Sequence, residues 1–221
     1  MKNKSSLMAD AWGALKQNKA ALFSFVTMSA MVVLVILGPL LSPFAIDQTD
    51  WYQLSAKPSF SSGHIFGTDD LGRDLFVRVM YGGRISLMVG LVATMVSVFI
   101  GVSYGAISGY FGGKTDAIMM RVVDVLYAMP FLFFVILLMV FFGRSILLIF
   151  IAIGAVNWLD IARIVRGQTL NIKGKEFVDA ARAGGVSNIK IVFKHIVPNL
   201  LGLVVVYVAL TVPQVILVES F

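Results

Sequence analysis

A chain of 221 residues that is 58% hydrophobic and only 14% charged, with a mean hydropathy of +0.89, is not a soluble globule and reads as an integral membrane protein. The absence of cysteine excludes a disulfide framework, and two scattered histidines, His64 and His195, offer no zinc or haem site and read as structural or solvated. The net charge of +6 would suit nucleic acid, but in a membrane protein basic residues first report topology, so no nucleic-acid partner and no cofactor are expected.

A helix needs about 20 apolar residues to cross a bilayer core. Five stretches qualify: Ala20 to Leu41, Ile85 to Tyr110, Val122 to Phe142, Ser145 to Val165 and Leu200 to Val218. The first is too long for a signal-peptide core and no small-residue cleavage site follows, so it reads as an uncleaved anchor after a cytosolic segment, 1–19. With the N-terminus in the cytosol, thirteen basic residues fall inside and five outside; the opposite orientation reverses that bias. Residues 42–84 then form a small external lobe, with Asp47, Asp50, Asp69, Asp70 and Asp74 among turn formers such as Pro43, Pro58 and Gly63. Residues 85–221 make the remaining membrane core. Five spans would leave the C-terminus outside, and the ending "VILVESF", without a polar tail, reads as a truncation.

Span two carries Gly101, Gly105 and Gly109, which place three glycines on one helical face and predict close helix packing. After it, "SGYFGGKT" carries the second half of a phosphate-binding loop, but Ser108 stands where the first glycine belongs and the segment joins two spans, not a strand to a helix. Span three contains Pro130 and span five Pro213, each a place for a bend. In span four, Asn157 and Asp160 are polar at depth, which is costly. Asp160 reads first as a partner of Arg163 one turn on, and second as part of a substrate path. No arrangement of nucleophile, base and orienting group appears, so an enzyme is not expected.

The segment "EFVDAARAGGVSNIKIVFKHIVPN", Glu176 to Asn199, interrupts this apolar chain. Ile189, Val192, Phe193, Ile196 and Val197 follow the i, i+3, i+4, i+7, i+8 rule after Ser187, a candidate N-cap, with Lys190 and Lys194 on another face. Before them, Ala180 and Ala181 are small enough for another surface to approach, Gly184 and Gly185 permit a turn, and Pro198 marks a new helix start. A helix gripping anionic lipid would explain the lysines. A helix-turn-helix bracket that docks a cytosolic partner explains both halves.

Here the residues resemble a known family. "DAARAGGVSNIKIVFKHIVP" is similar to the EAA loop of the membrane subunits of ABC importers, with Asp179, Ala180, Ala181, Gly185 and Pro198 at the family's spacing and departures at Asp179, His195 and Val197. "FGTDDLGRDLFVRVMYGGRISLMVG" and "SGYFGGKTDAIMMRVVD" resemble the dipeptide, oligopeptide and nickel branch, most of all its C-type oligopeptide permeases, and the likeness covers nearly the whole chain. The resemblance implies an all-α polytopic protein of the type I importer permease fold, with five of an expected six transmembrane helices, in a bacterial cytoplasmic membrane. It also implies a second permease subunit, two cytosolic ATPase subunits, an extracytoplasmic peptide-binding protein and surrounding lipid as partners. ATP hydrolysis would rest with the ATPases. Coupling to them would fall to the loop 166–199, through Asp179, Ala180, Ala181, Arg182, Gly185 and Pro198. The alternatives are the same architecture carrying dipeptides or nickel, or a membrane anchor that transports nothing.

Overall fold

The computed structural model describes residues 7–130, 133, 136–137, 140–141, 143 and 146–219. Among these residues the regular elements are helices, and extended pairing is confined to two isolated bridges, Thr49 with Arg73 and Thr68 with Asp74. Three helical stretches are long and apolar enough to cross a membrane: Lys19–Leu41, Leu75–Phe111 and Asn188–Glu219. A fourth helix, Ile146–Ile172, covers the expected fourth span. The chain divides into two compact units that meet at Ile85 and Ser86.

In the first unit, α1 (Leu7–Gln17) stops at Asn18, whose Oδ1 accepts from the Ala21 N–H at 3.1 Å and so caps α2 (Lys19–Leu41). The following lobe is organised by His64. Its buried ring stacks on Phe44, with centroids 4.1 Å apart, and lies 2.8 Å from Asp74 Oδ2 through Nδ1. The other oxygen of Asp74 accepts from the Val77 N–H at 2.8 Å, capping α3 (Leu75–Phe111). That cap explains why α3 begins ten residues before the expected span: at 37 residues it is about 55 Å long, against a hydrocarbon core of about 30 Å. Asp69 supports the lobe's last turn, where the Arg73 backbone N–H, then its guanidinium, hold the carboxyl below the usual carboxylate range.

In the second unit the three glycines of α3 meet α5 (Ile146–Ile172). A Cβ on Gly101 would lie 2.7 Å from Ile161 Cβ, one on Gly105 2.3 Å from the Ala162 carbonyl oxygen, and one on Gly109 2.7 Å from Thr169 Cβ. Real Cβ atoms do not approach so closely, so the backbones pack at a distance only glycine permits, as the spacing predicts. Ser97 extends the seam by donating to the Gly154 carbonyl at 3.0 Å. Between the two helices, α4 (Gly113–Tyr127) follows a sharp turn at Gly112 and Gly113, with φ of 64° and 54°. Helices flank "GGKT" on both sides, which is not the context of a phosphate loop.

Two expectations are corrected here. The helix within the expected third span does not bend through Pro130; α4 stops at Tyr127, because a proline disfavours helical backbone in the residue before it. Most of the remainder of that span lies outside the described residues. Asp160 does not pair with Arg163. The Arg163 guanidinium reaches Asp124 Oδ1 on α4 at 2.8 Å and stacks over Tyr127, with 4.5 Å to the ring centroid. One turn of separation left Arg163 free to choose a neighbouring helix.

Candidate functional site: a helix-turn-helix bracket on the helix core

The bracket begins where α5 ends. Lys175 adopts extended backbone at φ −82°, ψ 146°, and α6 (Glu176–Ala183) starts behind it. Glu176 and Asp179 lie in its first turn and Arg182 in its last, which complements the helix dipole. One residue of α6 faces fully inward, Val178 at 0% exposure.

The end of α6 is a Schellman motif. The Gly185 N–H donates to the Arg182 carbonyl at 3.0 Å and the Val186 N–H to the Ala181 carbonyl at 3.1 Å. Val186 and Ala181 also pack against the same core, the apolar contact that accompanies this cap. Gly185 stands at φ +75°, where a side chain is strained, whereas Gly184 sits at φ −76°. Of the glycine pair, only Gly185 is demanded by backbone conformation.

Ser187 takes the N-cap position of α7 (Asn188–Ile191) through its backbone, without a side-chain cap bond. The chain then runs through a π turn, Val192–Ile196, into α8 (Val197–Glu219) without a break. Pro198 therefore does not begin a new helix. Lacking an N–H, it cannot donate to the Lys194 carbonyl four residues back, and the Val197 N–H donates instead to Val192, five residues back. The wider turn rotates the faces that follow. Ile191, Val192 and Ile196 are fully buried, while Ile189 and Phe193 are 51% and 42% exposed. A 3.6-residue period assigned both to the buried face; Phe193 lies within the π turn that changes that period, whereas Ile189 precedes it.

Inward, the bracket joins one core with three long helices. Val102, Ala106 and Tyr110 of α3, Ile161 and Val165 of α5, and Leu200 and Val204 of α8 pack with Val178, Ile191, Val192 and Ile196. For the residues within membrane spans the gain is close packing and not removal from water, since lipid is as apolar as the core. Polar ties brace the same region. The Tyr110 hydroxyl donates to Asn188 Oδ1 at 2.8 Å, and Arg182 lies over the Tyr110 ring, 5.9 Å from its centroid. Lys173 Nζ donates to the Gly109 carbonyl at 3.0 Å. Arg166 grips both oxygens of buried Asp116 at 2.5 and 2.6 Å, and Ser108 donates to the same carboxylate at 2.5 Å. The Arg166 hydrogen bonds, helped by Ser108, hold Asp116 below the usual carboxylate range despite its burial. None of these ties has a sequence spacing that announces it.

Outward, Asp179, Ala180, Arg182 and Gly185 are exposed, with Asp179 and Arg182 paired at 3.0 Å, and Ala181 is half-buried. Phe177, Ile189 and Phe193 are exposed apolar residues on the same segment. Asn157 and Asp160 lie elsewhere, lining a 240 Å³ cavity with Tyr207, Thr211 and Gln214 of α8. Those three follow i, i+4, i+7 along an otherwise apolar helix, a polar stripe that the sequence displays but composition alone hides.

Residues 97–220 match the family described as "Binding-protein-dependent transport system inner membrane component", and residues 6–58 match "N-terminal TM domain of oligopeptide transport permease C". The chain belongs to the family of binding-protein-dependent transport inner-membrane components, the membrane permeases of ABC importers. More particularly, it is 58% identical over 216 residues to the oligopeptide transport system permease protein OppC of Escherichia coli (strain K12), across 98% of this chain and 72% of that protein. It is 54% identical to OppC of Haemophilus influenzae, across 98% and 70%. With the dipeptide transport system permease protein DppC of Bacillus subtilis it shares 44% identity, across 98% and 67%.

Proposed function

We propose that this chain is one of two permease subunits that together enclose the pore of an ATP-driven oligopeptide importer in a bacterial cytoplasmic membrane, with its N-terminus in the cytosol. An extracytoplasmic binding protein delivers the peptide, and two cytosolic ATPase subunits hydrolyse ATP. The bracket, 166–199, seats against one ATPase through the edge formed by Asp179, Ala180, Ala181, Arg182 and Gly185. Pro198 contributes at a distance by forcing the π turn that sets the bracket's packing. The observation that carries this reading is the single core in which Val178, Ile191, Val192 and Ile196 pack with α3, α5 and α8. A push on the bracket must therefore move three long helices, since packed interiors are stiff. The peptide cargo is supported by the names of the E. coli and H. influenzae relatives, and a dipeptide cargo by that of the B. subtilis protein.

The test is the Gly185→Val variant within the complete importer in proteoliposomes. A β-branched residue at φ +75° costs about 1–2 kcal/mol or more and deforms the docking edge without touching the core, since no atom lies within 4 Å of the position a Cβ would take. ATP hydrolysis should persist while peptide taken up per ATP falls about tenfold. Normal uptake per ATP overturns the coupling role.

A further inference from the structure

The cavity between α5 and α8 holds a carboxyl group for which the described residues supply no counter-charge. Asp160 is exposed into it, and among the described residues no ion pair reaches it, because Arg163 is committed to Asp124 and Arg166 to Asp116. It lies six residues, about 9 Å along the helix, before Arg166, within a helix whose apolar run reads as a span. Beside it are an amide, Asn157, a phenol, Tyr207, and a second amide, Gln214, the last exposed. Thr211 is spent internally, its hydroxyl donating to the Tyr207 carbonyl at 2.8 Å.

A carboxyl group with an exposed amide, Gln214, beside it is costly to leave against hydrocarbon. This face must meet water, a polar cargo or a cation from another chain. By contrast, the neighbouring 400 Å³ recess lined by Leu91, Met95, Phe99 and Val212 is apolar and suits lipid. The polar groups of the Asp160 cavity match an extended peptide: amides and hydroxyl complement peptide N–H and C=O groups, and the carboxylate complements the one cation every unblocked peptide carries.

We infer that Asp160 receives the α-ammonium of a peptide in transit, with Tyr207 and Gln214 engaging its first peptide groups. This inference rests on the peptide-importer reading. It makes Asp160 a determinant of selectivity for free N-termini inside the membrane protein itself. A charge-assisted hydrogen bond is worth about 1.5–3 kcal/mol, so its loss reads as about a tenfold or greater change.

The experiment compares uptake of a free-amine peptide with its N-acetylated twin by the complete importer in proteoliposomes, each with saturating binding protein, for wild type, Asp160→Asn and Asp160→Glu. The ratio of the two rates should fall about tenfold in Asp160→Asn and return towards wild type in Asp160→Glu. In parallel, because the chain has no cysteine, an Asp160→Cys variant gives one addressable thiol on this subunit. A cationic water-soluble thiol reagent should label it, and peptide under turnover should slow the labelling. An unchanged ratio in Asp160→Asn, with uptake intact, overturns the inference and leaves the importer reading standing. A thiol that resists the reagent, together with loss of the second permease from purified Asp160→Asn complexes, assigns Asp160 to a subunit contact and also overturns it. Wild-type complexes that hydrolyse ATP and take up neither peptide overturn both readings.

Discussion

Helix α5 behaves differently against its two neighbours. Against α3 it is locked, with glycines at 101, 105 and 109 bringing backbone to within contact of backbone, and the Asp116–Arg166 pair with Ser108 fastening the far end. Against α8 it packs through Ile161 and Val165 but parts at Asn157 and Asp160, leaving a 240 Å³ cavity with polar groups in its lining. One helix thus serves as a strut on one side and as a wall on the other. Close packing lies where side chains are absent, and space lies where polar ones line the gap.

The largest expected effect comes from breaking the strut. Gly105→Leu places side-chain atoms into the Ala162 carbonyl, and because the obstacle is backbone the helices must separate. We expect a loss of about 3 kcal/mol or more, above the usual range for overpacking, seen as failure of the subunit to be retained in purified complexes. The same substitution at Gly202, where no atom lies within 4 Å of an added Cβ, should leave retention near wild type. Equal retention of both variants would show that the close seam does not hold the subunit together.

A smaller effect is expected at the polar end of the same seam. Asp116→Asn keeps the shape but removes the charge that Arg166 neutralises, and should cost about 1–3 kcal/mol, read as a lowered unfolding temperature in detergent at neutral pH. The pH dependence has a definite sign. Because Asp116 titrates below its ordinary value of 3.8 in the folded protein, its contribution is full above that value and is lost as pH falls through the lowered folded one. The wild type should therefore converge on Asp116→Asn below about pH 4, and the gap between them should stay constant from pH 5 to 8. A gap that closes already near pH 6 would assign the effect to another group.

These two variants also mark what a sequence discloses. Gly101, Gly105 and Gly109 were legible because a four-residue repeat implies a face by itself, though not which helix meets it. The bracket was legible for a similar reason: small residues, a glycine turn and a proline follow each other within one segment, and the family spacing named a partner. What stayed hidden depends on distance in space. Asp116 and Arg166 are 50 residues apart, and nothing local distinguishes them from solvated charges. Arg163 chose Asp124 over Asp160 because α4 passes beside it, a tertiary fact. Phe193 falls on the wrong face because the π turn before Pro198 changes the period there, whereas Ile189, upstream of that turn, is exposed on α7. Pro198 itself was visible, and its missing N–H could have warned of that slip. The polar stripe of Tyr207, Thr211 and Gln214 was equally visible and gains meaning only opposite Asp160.

If the bracket transmits motion through the core it shares with α3, α5 and α8, all four must move as one body. Spin labels at Phe99 on α3, outside the bracket, and Lys190 on α7, both exposed, introduced as a cysteine pair into the cysteine-free chain, measure this directly in the complete importer. The account predicts one distance distribution, unchanged between the nucleotide-free and ATP-bound states, in complexes that still transport. A shift of about 5 Å, one turn of helix, would show that the bracket swings independently and would contradict it.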